Sequence, residues 1–242
     1  MLNYIKKVLF LLLLIKISCT AEQLNKKIVL VLSKKFDSPK AKLFCLQYKE
    51  KQWKLSQYWP VMIGRNGLGW GVGLHKRNST GPIKREGDGK SPAGIFKIRQ
   101  HLYGYSKYSP VKWEKAYTCL TSNWVGVDDS KSKYYNKIVN KNKVRSIDWQ
   151  SCEKMRRKDD LYKWLLVIEH NTKPSFPGKG SCIFIHLWRN KSFPTAGCTA
   201  MSEKNLLKLI KWIQFSDNVI IAQLPCSQYS EFQKKWNFPK LE

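Results

Sequence analysis

The sequence predicts a mainly β fold with a minor helical component, the α+β class. Three observations carry this reading. Most apolar residues sit in short runs, continuous or alternating with polar residues, bounded by turn-forming residues. Nine of the 14 glycines fall between Gly64 and Gly94, a segment that reads as tight turns with close backbone approach. The clearest helix spans Ser202 to Gln214, where Leu206, Leu209, Ile210 and Ile213 recur at i, i+3, i+4 and i+7.

In chain order, Met1 to Ala21 reads as a secretory signal. Lys6 and Lys7 precede the wholly apolar Val8–Ile15, and small or polar residues follow at Ser18, Thr20 and Ala21. The run is too short for a membrane span, and no later run is longer. Cys19 is a poor lipid-attachment site because Lys16 stands where an aliphatic residue is needed. Residues 22–242 are then one domain, with a core at about 27–225 and a loop-rich insertion at about 101–160. Lys27–Leu32 and Ala41–Tyr48 read as strands, and Trp53–Ile63 continues a hairpin. Ile95–Ile98 is a strand directly after the glycine-rich segment. Gly89-Lys90-Ser91 within that segment is no phosphate loop, since Pro92 blocks the helix such a loop opens. Trp124–Asp129 reads as a strand ending in a turn, Tyr134–Val139 as a short helical turn, and Trp164–Asn171 as an apolar strand. Asp128 and Asp129 fit turn-capping carboxylates better than a metal or acid/base pair. Cys182–His186 is a buried strand, Ser202 is a candidate N-cap, and Val219–Leu224 is a last strand stopped by Pro225.

Charge and cysteine content bound the function. Lys plus Arg number 44 against 17 Asp plus Glu, a formal charge of +27, and loss of Lys6, Lys7 and Lys16 with the signal leaves +24. For an exported protein this disfavours nucleic acid as partner. Anionic envelope polymers or lipid head groups, or simply a solvated lysine-rich face, account for it. Of seven cysteines, six remain without Cys19: Cys45, Cys119, Cys152, Cys182, Cys198 and Cys226. No Cys-x-x-Cys pair or close Cys/His cluster suggests a metal, and no cofactor is implied. Cys119 and Cys152 flank one insertion and are the pairing we expect if a disulfide forms.

The chemistry centres on the strand Cys182–Leu187, which carries His186, and on Thr195-Ala196-Gly197-Cys198-Thr199-Ala200-Met201. A thiol needs a base or a helix N-terminus to become a nucleophile, and His186 on the adjoining strand is the best base. Gly197 allows a sharp turn that aims the amides near Gly197, Cys198 and Thr199 at one point, an oxyanion hole. His170 ends a neighbouring strand and reads first as a packed histidine. His75 is placed to line a cleft, and His101 has no such prospect.

These residues resemble the active-site segment of the L,D-transpeptidase catalytic domain (YkuD) family. The resemblance extends through Gly69–His75, Lys84–Phe96, Val127-Asp128-Asp129 with Tyr135-Asn136, and His170-Asn171 with Pro177-Gly178, in the family's order. It implies curved mixed β-sheets with a few peripheral helices, and activity on peptidoglycan stem tetrapeptides in the periplasm or cell envelope. The residue matching the family's nucleophile is Cys198 and the one matching its histidine is His186, with Gly197 and Cys198 amides as oxyanion hole. The thiolate would expel the terminal D-alanine, and an amine of a second stem would resolve the thioester into a 3-3 cross-link. Two departures stand out: Ala196 and Ala200 occupy positions where the commoner family pattern has histidine and arginine. Carboxylate recognition then falls to Arg85 or Arg189. The rival readings are an L,D-carboxypeptidase or wall hydrolase using the same thiol, and a non-catalytic cationic wall-binding protein.

Overall fold

In a computed structural model, residues 27–76, 80–112, 116–214 and 219–240 are described; the expected signal at 1–21 lies outside them. Strand β1 (Lys27–Ser33) is apolar on both faces because it is buried on both, with Val29, Leu30 and Val31 fully enclosed. It pairs in parallel with β13 (Ile220–Pro225) and antiparallel with β2 (Lys40–Lys49). A two-residue turn joins β2 to β3 (Gln52–Met62), with Glu50 and Lys51 both at positive φ, 53° and 62°. That is the twist a tight hairpin needs, although neither residue type advertises it.

The sheet holds ten strands and closes on itself. Beyond β3 it runs through β12 (Thr199–Met201) and β11 (Phe184–Leu187) to β10 (Trp164–Ile168). The long β5 (Ser91–Gly104) seals the ring: its first half pairs with β13, its second half with β10. Strands β4 (Leu68–Trp70) and β6 (Ala116–Cys119) attach to β5. Closure removes the open edges that an eight-strand path would otherwise leave. A separate three-stranded sheet is formed by β8 (Ile138–Asn140), β7 (Trp124–Val127) and β9 (Cys152–Lys154). The mainly β expectation holds: 39% of the described residues are strand and 12% helix.

Helix α1 (Glu203–Ile213) follows the expected spacing and starts at Ser202, whose hydroxyl accepts from the Asn205 N–H. Leu206, Leu209, Ile210 and Ile213 are fully buried, each contributing roughly 2 kcal/mol of transfer free energy. Helix α2 (Cys226–Trp236) begins immediately after Pro225. The proline ends β13 as expected, and its extended conformation also suits a helix entry.

Two expectations are corrected. Tyr134–Val139 is a turn leading into β8, not a helical turn, because Asn136 adopts φ 61°. Cys119 and Cys152 do not pair; the six described cysteines are all free thiols. Cys119 Sγ points to the Tyr105 carbonyl (3.5 Å), while Cys152 lies in the small sheet opposite Val127.

Candidate active site

Parallel pairing of β11 with β12 sets the geometry. His186 is in register with Ala200, and Ile185 with Thr199. Because side chains alternate, His186, Ala200 and Cys198 (two residues before Ala200) face the same side of the sheet. Cys198 ends the loop that β12 continues, and Cys198 and His186 line the same cavity. Its Sγ accepts from the Phe184 N–H (3.3 Å) and donates to the Cys182 carbonyl (3.5 Å). His186 Nδ1 meets the Leu187 carbonyl at 2.7 Å. A carbonyl can only accept, so Nδ1 carries the proton and Nε2 is left as the basic nitrogen.

The loop is held by hydroxyls from the glycine-rich segment and from itself. The Cys198 carbonyl accepts from Ser91 Oγ (3.0 Å) and Thr195 Oγ1 (2.6 Å). Ser91 Oγ in turn accepts from the Gly64 N–H (2.9 Å). Thr199 Oγ1 donates to Gln223 Oε1, and Gln223 Nε2 donates to the Pro92 carbonyl (3.0 Å). Gly197 has φ 155°, and a Cβ there would stand 3.1 Å from the Lys90 carbonyl oxygen. The Gly197 N–H is engaged by Thr195 Oγ1 (3.1 Å). Among the described residues the Cys198 N–H has no protein acceptor, which leaves it available to an incoming oxyanion.

Burial dominates the electrostatics. It lowers His186 to about 4, against the Leu187 carbonyl, which favours the protonated ring. It raises the Cys198 thiol far above its ordinary value, and the Glu153 charge adds to that, while the Phe184 N–H opposes it. At rest the site therefore holds a neutral thiol and a neutral imidazole. Proton transfer has to accompany attack on a substrate.

Cys198 and His186 open onto a cavity of about 590 Å³. One wall carries carboxylates: Glu86, Asp128 and Glu153. Glu86 accepts from the Tyr135 hydroxyl, and Asp128 accepts from Ser151 Oγ. Asp129 does what the turn reading expects, accepting from the N–H groups of Lys131 (2.9 Å) and Gln150 (2.8 Å), but Asp128 beside it faces the cavity. Basic groups reach the cavity as well: Arg65, Lys84, Arg157 and Arg189. Lys84 is committed to Asp88 (2.6 Å), and Arg157 makes a two-pronged pair with Asp159 (2.7 and 2.6 Å). Arg189 is half-exposed, 3.6 Å from Asp159 and over the Phe193 ring.

Of the expected site residues, Cys198, His186, Gly197 and Arg189 line this cavity; Arg85, His75 and His170 do not. Arg85 points outward from a turn in which its N–H donates to Asp88 Oδ2 (2.7 Å). His75 packs where a side chain at Gly94 would stand, its Nδ1 accepting from the Ile95 N–H (3.1 Å), and burial lowers it to about 4. His170 accepts from the Val72 N–H (3.2 Å) and donates to the Lys179 carbonyl (3.0 Å); burial lowers it also to about 4. Both histidines brace loops. Asn136 and Asn171, read in the sequence only as parts of motifs, turn out to be clamps. Asn136 donates to the His170 carbonyl (3.0 Å) and accepts from the Cys182 N–H (2.9 Å). Asn171 donates to the Phe176 and Gly180 carbonyls (2.9 and 3.0 Å). Glu86 is read in the sequence only as part of a motif, and Arg65, Arg157, Tyr162 and Glu153 carry no signal there, because segments far apart in the chain bring them together.

A solved structure, that of Bd1075 from Bdellovibrio bacteriovorus, is similar at a TM-score of 0.42 and 11% identity, over 89% of this chain and 56% of that one. This chain thus spans little more than half the length of that protein. A comparison with curated proteins finds no match. The model of the L,D-transpeptidase catalytic domain (YkuD) matches residues 36–221, a stretch that runs from the turn after β1 to β13 and includes His186 and Cys198. The chain belongs to the YkuD L,D-transpeptidase catalytic domain family.

Proposed function

We propose that this chain is an exported cysteine peptidyltransferase of the cell wall that cross-links peptidoglycan stem peptides. The observation that carries the reading is the β11–β12 register, together with Cys198 and His186 both lining the cavity and His186 Nδ1 being taken by the Leu187 carbonyl. In the first step His186 Nε2 takes the thiol proton as Sγ attacks the carbonyl at the third stem residue. The developing oxyanion is met by the Cys198 N–H, and by the Gly197 N–H if its bond to Thr195 Oγ1 is exchanged. The proton then passes to the departing amine of D-alanine, and a thioester remains on Cys198. An amine from a second stem displaces the sulfur, forming the amide and returning the thiol.

Carboxylate recognition, left open by Ala196 and Ala200, fits Arg65 and Arg189. Both line the cavity, and Arg65 is joined through its N–H to the Thr195 carbonyl (2.8 Å) at the base of the Cys198 loop. A guanidinium pairs a carboxylate through two parallel hydrogen bonds, the geometry a stem-peptide terminus offers. Among the described residues no helix is long and apolar enough to cross a membrane. We assign residues 1–21 to export, and the basic charge to contact with anionic wall polymers.

Intact-mass analysis after mixing the purified protein with a synthetic stem tetrapeptide tests the first step. An adduct of the tripeptide acyl group on the wild type, absent in Cys198→Ser, is the expected result. Release of D-alanine by the Cys198→Ser protein would refute the assignment of the nucleophile.

A further inference from the structure

Transfer to an amine has a proton problem that the Cys198–His186 pair alone does not solve. An acceptor amine arrives as an ammonium ion, R–NH3+, and ends as an amide N–H, so its nitrogen must shed two protons. One returns to the Cys198 sulfur through His186 as the C–S bond breaks. The other must leave before attack, because an ammonium has no lone pair. We propose that Glu153, held by the Tyr162 hydroxyl, binds the incoming ammonium and takes this first proton. The proposal rests on the peptidyltransferase reading above. In balance, the carboxylate and R–NH3+ become the carboxylic acid and R–NH2. The amine nitrogen then bonds to the thioester carbonyl, the C–S bond breaks, and its second proton passes by His186 to sulfur.

The placement is specific. Glu153 sits on β9, in register with Gly126 of β7, so the three-stranded sheet delivers it to the cavity that holds Cys198 and His186. Tyr162 Oη donates to both carboxyl oxygens, at 3.1 and 3.0 Å, and the same tyrosine ring packs edge-on against His186 with centroids 5.0 Å apart. One aromatic side chain thus locks both proton acceptors in place. Facing Glu153 are Tyr162, Arg157, Asp128, Glu86, Cys182 and Cys198. Arg157 is already matched by Asp159, so the wall made by Glu153, Asp128 and Glu86 is net anionic and suits a cationic guest. Burial first, with Asp128 and Glu86 adding, raises the Glu153 carboxyl to about 7, against the Tyr162 hydroxyl and Arg157. A carboxyl tuned there can accept a proton and lose it again at neutral pH, whereas His186, lowered to about 4, is the weaker base of the two. An ammonium seated beside Glu153 itself favours the ionised form.

The test separates acylation from transfer, and charged from uncharged acceptors. The purified protein is acylated with the synthetic tetrapeptide, then offered either glycinamide, largely protonated at neutral pH, or hydroxylamine, which is neutral there. Glu153→Gln should form the thioester at least as fast as wild type, since it removes a charge that raises the Cys198 thiol. Its transfer to glycinamide should fall about 100-fold, with transfer to hydroxylamine unchanged. In wild type, transfer to glycinamide should rise with pH through about 7, whereas in the variant the rise should follow the ionisation of the free amine, at about 8. Tyr162→Phe, which leaves the carboxyl in place without its anchor, should show a smaller loss with the same acceptor selectivity. Equal transfer by wild type and Glu153→Gln, or an equal loss with both acceptors, would overturn the role of Glu153 alone. A wild type that forms no thioester would instead remove the peptidyltransferase reading on which it rests.

Discussion

At the scale of single residues, reactivity depends on burial more than on charge pairing. Cys198 is a protonated thiol at rest, raised by burial and by Glu153, so it should react slowly with small alkylating agents despite its chemistry. Peptide mapping after iodoacetamide treatment at pH 8 should find exposed Cys226 modified before Cys198; the reverse order would mean an activated resting thiolate. His186→Gln should lower the acylation rate by about 10²–10⁴ while leaving the melting temperature nearly unchanged, read by stopped-flow with the tetrapeptide. Arg189→Ala should raise KM because Arg189 lines the cavity, whereas Arg85→Ala should not, because Arg85 faces away from it. Much of this was legible from the sequence: an apolar strand ending at His186 and a glycine before Cys198 are local signals. Arg65, Tyr162 and Glu153 were not, since a cavity wall assembled from distant segments leaves no local pattern.

At the scale of elements, the glycine-rich segment and the Cys198 loop behave as one unit. Ser91, at the start of β5, holds the Cys198 carbonyl, and Gln223 of β13 ties Thr199 to Pro92. Ser91→Ala should cost about 1–3 kcal/mol in urea unfolding by leaving the Gly64 N–H without its buried partner, and should lower kcat as the loop loosens. Gly94 is a sharper case. Its φ is 129°, and a Cβ would fall 1.9 Å from the His75 ring, so Gly94→Ala should destabilise by more than about 2 kcal/mol. A melting temperature within a degree or so of wild type would show that His75 is free to move. The strands and α1 announced themselves by period, but two elements did not. The β2–β3 turn uses Glu50 and Lys51 at positive φ, where Asn-Gly would have been the recognisable signal. Helix α2 buries only Tyr229 and Phe232 in 11 residues, too thin a stripe to stand out from a polar tail.

At the scale of the whole molecule, a closed sheet fixes the register of His186 with Ala200, and the small sheet of β7, β8 and β9 brings Glu153 to the cavity. The same buried groups set the response to pH. His75, His170 and His186 are each lowered to about 4 in the fold, so the unfolded chain binds more protons between about 6.5 and 4, and stability falls as pH drops through that window. Glu153, raised to about 7, works in the opposite sense between about 7 and 4.5, where the fold holds the proton more tightly, but it is one group against three. Urea unfolding should therefore give lower stability at pH 5 than at pH 6.5, with a larger drop in Glu153→Gln; a protein equally stable at both would contradict this balance. The central claim is that Cys198 and His186 join two stem peptides. Its most direct measurement is the muropeptide profile after tetrapeptide-rich peptidoglycan is incubated with the purified protein. Dimers linked between third-position residues, formed by wild type and absent with Cys198→Ser, are predicted; D-alanine release without dimers, or dimers formed by Cys198→Ser, would contradict it.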